Sequence, residues 1–117
     1  MIKRVSLVWK RSGLSDTDFQ RIWLGEHVEY AKQLRGVREY TIDFSTGGPK
    51  GAPDAIATLR FDTREALDTA FSDPQLNDQL MRTREQFASN VQVMIVDEHV
   101  VLSQHVKASS SPNGDDR

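Results

Sequence analysis

The sequence contains no cysteine. A chain without thiols forms no disulfide, holds no thiolate-bound zinc or iron–sulfur cluster, and has no cysteine nucleophile. Any reaction must therefore depend on carboxylates, tyrosines, backbone groups or the three histidines, which are His27, His99 and His105. We accordingly expect a protein that works without a bound metal or other cofactor.

Long apolar runs and an excess of one charge are absent as well. No stretch approaches the roughly 20 apolar residues of a membrane-spanning helix, and Lys10-Arg11 stand where a signal peptide would have small residues. The net charge is −2, from 15 basic and 17 acidic residues spread along the chain, so no basic patch indicates nucleic-acid binding. We expect a cytoplasmic protein that binds neither membranes nor nucleic acid.

What the chain does have is the composition of one globular domain. Its 117 residues are 38% apolar and 27% charged, and this length fits a single domain with one core. The last residues are serines, a glycine, a proline and acids, which cannot repay the cost of ordering. The sequence therefore predicts a domain over residues 1–106 and a disordered polar tail over 107–117.

Apolar periodicity predicts six main elements. Ser15 begins the first helix, which continues through Leu34 and ends at Gly36, and Thr63 begins the second. Pro74 fits the first turn of a continuation of that second helix to about residue 88. Strands are predicted over 2–10, 37–44, 54–61 and 91–102, with a Gly/Pro-rich loop at 45–53. The order β-α-β-β-α-β predicts an α+β, ferredoxin-like fold, a four-stranded antiparallel sheet with two helices on one face.

Alternation along the strands predicts which sheet face each side chain occupies. The odd positions Val5, Leu7 and Trp9 of the first strand are apolar, which predicts that they form its buried face. The opposite, uncovered face is then assigned Ile2, Val8, Met94, Val96, Val100 and Leu102. An apolar face of that size is unusual on a monomer, and a second copy of the chain is its simplest cover. The sequence therefore predicts a homodimer.

A family resemblance rests on a set of residues along the first half of the chain. Ile2-Lys3 through Trp9-Lys10, then Gly13-Leu14-Ser15, Phe19, Trp23, His27, Gly36 and Tyr40, resemble the EthD-like family of dimeric α/β barrel proteins, and residues 96–101 are similar to that family's last strand. The resemblance covers about residues 1–104. It implies two sheets packed face to face across a dimer, and a cleft between sheet and helices that holds His27 and Tyr40.

The activities of that family are mixed, so the resemblance implies a type of chemistry rather than one reaction. Its relatives include a methylmuconolactone isomerase, and the wider superfamily includes polyketide cyclases and cofactor-free oxygenases. These proteins share proton movement on small carbonyl compounds. One departure from the family pattern is Val28-Glu29, where many members follow the histidine with Gly-Pro.

His27 and Tyr40 are the candidate catalytic residues. His27 lies four residues after Trp23 on the apolar stripe of the first helix, where burial can shift its pKa and let it act as a general acid or base. Alternatively, it is a core histidine bonded to a backbone carbonyl. Tyr40 is in phase with Ile42 and Phe44, so its hydroxyl either donates to a developing oxyanion or only closes the core.

The candidate substrate-binding residues are aromatic walls and small side chains. Ala55 and Ala57 share a strand face and leave room for a pocket, although tight helix packing explains them equally well. The aromatic residues are Trp9, Trp23 and Tyr30. Near the end of the domain, alternation places Glu98 opposite Asp97 and His99, which leaves too few ligands for a metal site.

The leading functional hypothesis is a cofactor-independent acid–base enzyme, a lyase or isomerase. Its substrate would be a small carbonyl, lactone or aromatic catabolic intermediate, and its ligand a small apolar or aromatic carbonyl compound. A non-catalytic binding or accessory protein is one alternative. A cofactor-free oxygenase or small haem-degrading enzyme of the same superfamily is another.

Overall fold

The computed structural model of the protein describes residues 1–104. The predicted tail, the boundary at residue 106 and His105 lie outside this part of the chain. The strands are β1 (Ile2–Lys10), β2 (Glu39–Phe44), β3 (Ala55–Phe61) and β4 (Ala88–Asp97), and the helices are α1 (Asp16–Ile22), α2 (Val28–Ala31), α3 (Arg64–Ala70) and α4 (Pro74–Glu85). A π-helical turn, Trp23–His27, joins α1 to α2.

The four strands form one sheet in the order β2-β3-β1-β4, and every neighbouring pair is antiparallel. This order and the positions of the helices along the chain are those of the predicted ferredoxin-like α+β fold, which is thereby confirmed. In residues 1–104 no helix is both long enough and apolar enough to cross a membrane.

The helices begin where their capping residues predict. Ser15 Oγ accepts a hydrogen bond from the Asp18 N–H at 3.0 Å, and Thr63 Oγ1 accepts one from Ala66 at 3.1 Å. Asp73 caps α4. At its other end the first helix is shorter than predicted, because after Ala31 the backbone bonds tighten to a three-residue spacing.

The last strand differs from its predicted range, 91–102. It begins at Ala88, which pairs with Lys10 across a β-bulge, and it ends at Asp97. Within residues 1–104 its neighbour in the sheet is β1, whose first residue, Ile2, lies opposite Asp97, and none of these residues forms a strand that pairs with residues after Asp97. Val100 and Leu102, predicted to lie in this strand, are 69% and 77% exposed and lie beyond it.

The predicted faces of β1 are wrong and must be exchanged. Val8 is only 2% exposed and lies in the core beside Trp23, and Ile2 packs against the core from the same face. Val5, Leu7 and Trp9 alternate with these residues and face away from the helices. The alternation was misleading because polar Arg4 and Ser6 occupy the helix-facing side, where they line a cavity.

The side of the sheet away from the helices, here called the outer sheet face, carries an apolar patch among polar residues. Strand register places on it Val5, Leu7, Trp9, Ile56, Met94 and Val96. Met94 is 52% exposed. At one border of the face, Arg60 pairs with Glu39 at 3.1 Å and with Glu98 at 2.8 Å. No helix covers this face in the described part of the chain.

Candidate active site

A cavity of about 400 Å³ lies between the sheet and the helices, within the size range of small-molecule sites. Both core clusters contribute walls, and polar or charged side chains enter from β1, β2, the π-helical turn and α4. The lining includes Arg4, Ser6, Trp23, His27, Tyr40, Ala57, Asn77, Arg84 and Phe87.

The π-helical turn sets the positions of Trp23 and His27. Gly25 within it has φ −87° and ψ −116°, outside helical values, so the helix kinks there. Glycine also has a weak preference for the α-helix, which lowers the cost of interrupting it. Trp23 and His27, at the two ends of the turn, both line the cavity. Single π-helical turns of this kind often occur at functional sites.

Tyr40 on β2 receives a hydrogen bond from Trp23. The indole Nε1–H donates to the Tyr40 hydroxyl oxygen at 3.1 Å, and the Trp23 ring stacks on Phe87 with centroids 4.7 Å apart. Because an indole only donates, the Tyr40 oxygen is the acceptor and its own O–H can donate into the cavity. Burial raises the pKa of Tyr40, and the Trp23 bond opposes the shift, so the phenol keeps its proton at neutral pH.

His27 is held through one ring nitrogen. Its Nδ1 lies 2.7 Å from Thr83 Oγ1, and the Thr83 hydroxyl donates to the Gln79 carbonyl at 2.8 Å. Since the Thr83 proton is used in that bond, its oxygen accepts the Nδ1–H of His27. This places the ring proton on Nδ1 and leaves Nε2 with a free lone pair.

The surroundings keep His27 neutral. Burial, and to a lesser extent the positive charges of Arg84 and Arg4, lower its pKa from 6.5 to about 4, while a hydrogen bond to the Leu80 carbonyl acts in the opposite direction. The ring packs edge-on against Phe87, with centroids 5.1 Å apart. At neutral pH the cavity therefore holds an unprotonated imidazole nitrogen and a protonated phenol, the pair that acid–base chemistry on a carbonyl compound requires.

The family model for the EthD domain matches residues 11–90. The chain belongs to the EthD family. A search of the curated proteins finds no match to the sequence.

Solved structures show the same EthD fold. The chain is similar to an EthD family protein from Bacillus halodurans, with TM-score 0.68 and 18% identity over 85% of this chain and 99% of that one. A dimeric ferredoxin-like protein of unknown function from Thermobifida fusca gives TM-score 0.63 and 9% identity over 81% and 88% of the two chains. A variant of SnoaB, a cofactor-independent oxygenase from Streptomyces nogalater, gives 0.61 and 12% over 88% and 97%.

Four of the seven residues predicted for the EthD site line the cavity: Trp23, His27, Tyr40 and Ala57. Trp9 does not, because the true faces of β1 place it on the outer sheet face. There its Nε1–H donates to the Gly51 carbonyl at 2.9 Å, which ties the 45–53 loop to the sheet. Trp9 is therefore corrected from a cavity wall to a loop contact.

Ala55 and Tyr30 also lie away from the cavity. Ala55 is buried against Phe19 and Trp23, so it allows close packing instead of leaving space. Tyr30 packs on the second core cluster, and its hydroxyl is 3.4 Å from Glu26 Oε2. Its position on the apolar stripe of the first helix was predicted correctly, but this stripe extends beyond the cavity.

The polar lining of the EthD cavity was missed at the sequence level. Arg4 and Ser6 appeared as interruptions of an apolar strand, although two polar residues in the same phase can equally indicate a strand that borders a site. Asn77 and Arg84 lie on α4, far along the chain from the π-helical turn. No local pattern indicates that these two residues meet His27.

His99 and its neighbours are arranged as alternation predicts. His99 Nε2 lies 3.4 Å from Asp97 Oδ2, and both side chains are exposed. Glu98 instead pairs with Lys3 at 2.9 Å. In residues 1–104 no group of three or more His, Cys, Asp or Glu side chains is arranged to hold a metal ion.

Proposed function

We propose that this EthD protein is a cofactor-independent acid–base enzyme, a lyase or isomerase, that acts in the cytoplasm on a small carbonyl, lactone or aromatic catabolic intermediate. The observation that carries the proposal is the 2.7 Å contact between His27 Nδ1 and Thr83 Oγ1 in a cavity that Tyr40 also lines; with Nδ1–H as the donor, Nε2 is the base. A purely structural histidine would need no cavity beside it.

The proposed reaction moves one proton. The substrate carbonyl oxygen accepts a hydrogen bond from the Tyr40 O–H, and His27 Nε2 takes a proton from the carbon next to that carbonyl. The C–H electron pair forms an enolate, and the imidazole becomes imidazolium. Returning the proton to a different carbon gives an isomerase, and delivering it to a departing oxygen gives a lyase. Trp23 and Phe87 supply apolar walls that limit access of water.

Hydrogen exchange tests this role without advance knowledge of the product. Lactones and aromatic keto acids would be incubated with the protein in D₂O, and loss of C–H signal and turnover followed by NMR. We expect His27→Gln to slow both by roughly 10²–10⁴-fold, the usual range for a general acid or base. The variant should stay folded, because glutamine can still donate to Thr83.

The matched control is His99→Gln, which changes an exposed histidine outside the cavity. It should leave exchange and turnover within about twofold of the wild-type rates. Equal rates in His27→Gln and wild type would contradict the assignment. An active but destabilised His27→Gln protein would make His27 a core residue only.

A second candidate function, a cofactor-free oxygenase, follows from the similarity to SnoaB. It predicts O₂ consumption on addition of an aromatic substrate, which an oxygen electrode detects. Proton transfer without O₂ consumption selects the lyase or isomerase. Binding without either reaction selects an accessory protein.

We further propose that the protein is a homodimer in which a second copy covers the outer sheet face. The apolar residues on that face support this arrangement, since soluble monomers rarely expose such a patch. The structurally similar protein from Thermobifida fusca is described as dimeric.

A further inference from the structure

Two arginines line the cavity without an acidic partner. Arg4 enters from β1 and Arg84 from α4, and neither forms an ion pair with any Asp or Glu of residues 1–104. By contrast, five other arginines pair with carboxylates: Arg21, Arg38, Arg60, Arg64 and Arg82. The described cavity lining includes no Asp or Glu, so the cavity is positive in a protein whose net charge is −2.

The guanidinium of Arg4 is held in place but not neutralised. Its Cζ lies 4.6 Å from the centre of the Phe71 ring, and its Nη1–H donates to Ser6 Oγ at 3.3 Å. Burial lowers the pKa of Arg4, and the charge of Arg84 lowers it further, so the two cations are close enough to repel. A partly buried charge is costly unless it is paired, and an anion between the two guanidiniums would remove that cost.

The remaining lining limits what else the ligand contains. Trp23 and Phe87 present stacked aromatic surfaces, and Leu80 and Met81 add an aliphatic wall. A volume of about 400 Å³ admits a compact organic molecule. The lining thus combines two arginines that lack an acidic partner with apolar walls.

We propose that the cavity binds a small aromatic or alicyclic carboxylic acid as its anion, with the carboxylate between Arg4 and Arg84. This inference deepens the proposed function by naming the substrate class, and it rests on the same cavity. It does not depend on any reaction taking place there.

A bound carboxylate also changes the basicity of His27. The charged and titratable groups that face His27 across the cavity are Arg84 from α4, Arg4 from β1 and Tyr40 from β2. A carboxylate that pairs with the two arginines cancels their repulsion of an imidazolium. His27 therefore becomes a stronger base when the substrate is in place than it is in the empty cavity.

Calorimetric titration of the full chain with benzoate and with neutral benzamide tests the charge requirement. The two probes have nearly the same shape, so a difference in affinity reports the carboxylate. We expect benzoate to bind at least about tenfold more tightly than benzamide, which corresponds to one hydrogen bond to a charged group. The affinity for benzoate should fall as salt is added. Equal affinities for the two probes would overturn the proposal.

Arginine variants test which residues hold the carboxylate. Arg4→Met and Arg84→Met should each weaken benzoate binding by about tenfold to a hundredfold. Arg82→Met is the matched control, because Arg82 lies on the same helix but pairs with Asp78 at the surface, and its benzoate affinity should stay within about twofold. An equal loss in all three variants would contradict the proposal.

Thermal unfolding distinguishes a ligand-binding role of Arg4 from a structural one. If Arg4 is present for a ligand, Arg4→Met removes a partly buried unpaired charge, and the melting temperature without ligand should stay equal or rise. A lowered melting temperature with unchanged benzoate affinity would show a structural arginine and overturn its assigned role.

These binding results can be separated from turnover. Benzoate binding without turnover of any carboxylate would contradict only the proposed enzymatic function. Turnover restricted to neutral lactones would contradict only the proposal that the ligand is a carboxylate.

Discussion

His27 meets three kinds of neighbour that act on its ring in different ways. Thr83 Oγ1 accepts a hydrogen bond from Nδ1–H, the Phe87 ring packs against the imidazole, and the two arginines disfavour a positive charge on it. Together they keep the ring neutral and its Nε2 unprotonated at neutral pH. An anion bound to the arginines then restores the basicity that proton abstraction needs.

The same electrostatics predicts a pH-dependent stability. Because the pKa of His27 falls from 6.5 to about 4 on folding, the unfolded chain binds the proton more readily between these values. The free energy of unfolding therefore decreases as pH falls from about 6.5 to 4, by roughly 3 kcal/mol from this group. Urea melts should show this loss in wild type but not in His27→Gln, which shares every carboxylate. Parallel pH curves for the two proteins would contradict the shift.

The sequence predicts some of the residues around His27 and misses others. The four-residue spacing of Trp23 and His27 placed them on one helix face, and both line the cavity. Thr83 is 56 residues from His27 in the chain, and only the packed fold brings its hydroxyl to the ring. The bond that selects the tautomer was therefore beyond any local pattern.

At the scale of elements, chain-local signals predicted the helix starts and non-local pairing decided the strand limits. Ser15, Thr63 and Pro74 act within their own helices, so their effect can be deduced from neighbouring letters. The end of β4 depends on where β1 begins. The faces of β1 were exchanged because its helix-facing side carries the polar lining of a site while its outer face is apolar. Local rules fail most readily where a site overrides them.

The contact between the π-helical turn and α4 gives a second prediction. Thr83→Val keeps the shape of the side chain but removes the oxygen that accepts from His27 Nδ1–H. We expect proton exchange on substrate to slow by about tenfold and stability to fall by about 1 kcal/mol, the value of one hydrogen bond. Thr83→Ser, which keeps the hydroxyl, should recover the rate. A fully active Thr83→Val protein would show that the tautomer is not set by this contact.

For the whole molecule, the order of elements predicted the fold correctly because few arrangements of β-α-β-β-α-β bury one face of a sheet against its helices. The fold leaves the outer sheet face uncovered in the described part of the chain. Its apolar residues and the cavity lie on opposite sides of the sheet, so the proposed assembly and the proposed ligand binding would use separate surfaces of the same four strands.

Light scattering tests the assembly. At micromolar concentration the wild-type protein should have twice the mass of the 117-residue chain. Leu7→Glu places a charge on the outer sheet face and should abolish this dimer and lower the melting temperature sharply. The control Leu24→Glu changes an exposed leucine of the π-helical turn and should remain dimeric. A monomeric wild type, or a dimeric Leu7→Glu protein, would contradict the covered face.

The central claim is that His27 is a neutral base whose strength rises when an anion enters the cavity. Titration of the histidine ring nitrogens by ¹⁵N NMR, with and without benzoate, tests it most directly. We expect the proton on Nδ1 at pH 7, a pKa near 4 in the free protein, and a higher pKa with benzoate bound, while His99 is unaffected. A His27 that titrates at its ordinary value, or whose pKa benzoate does not change, would contradict the claim.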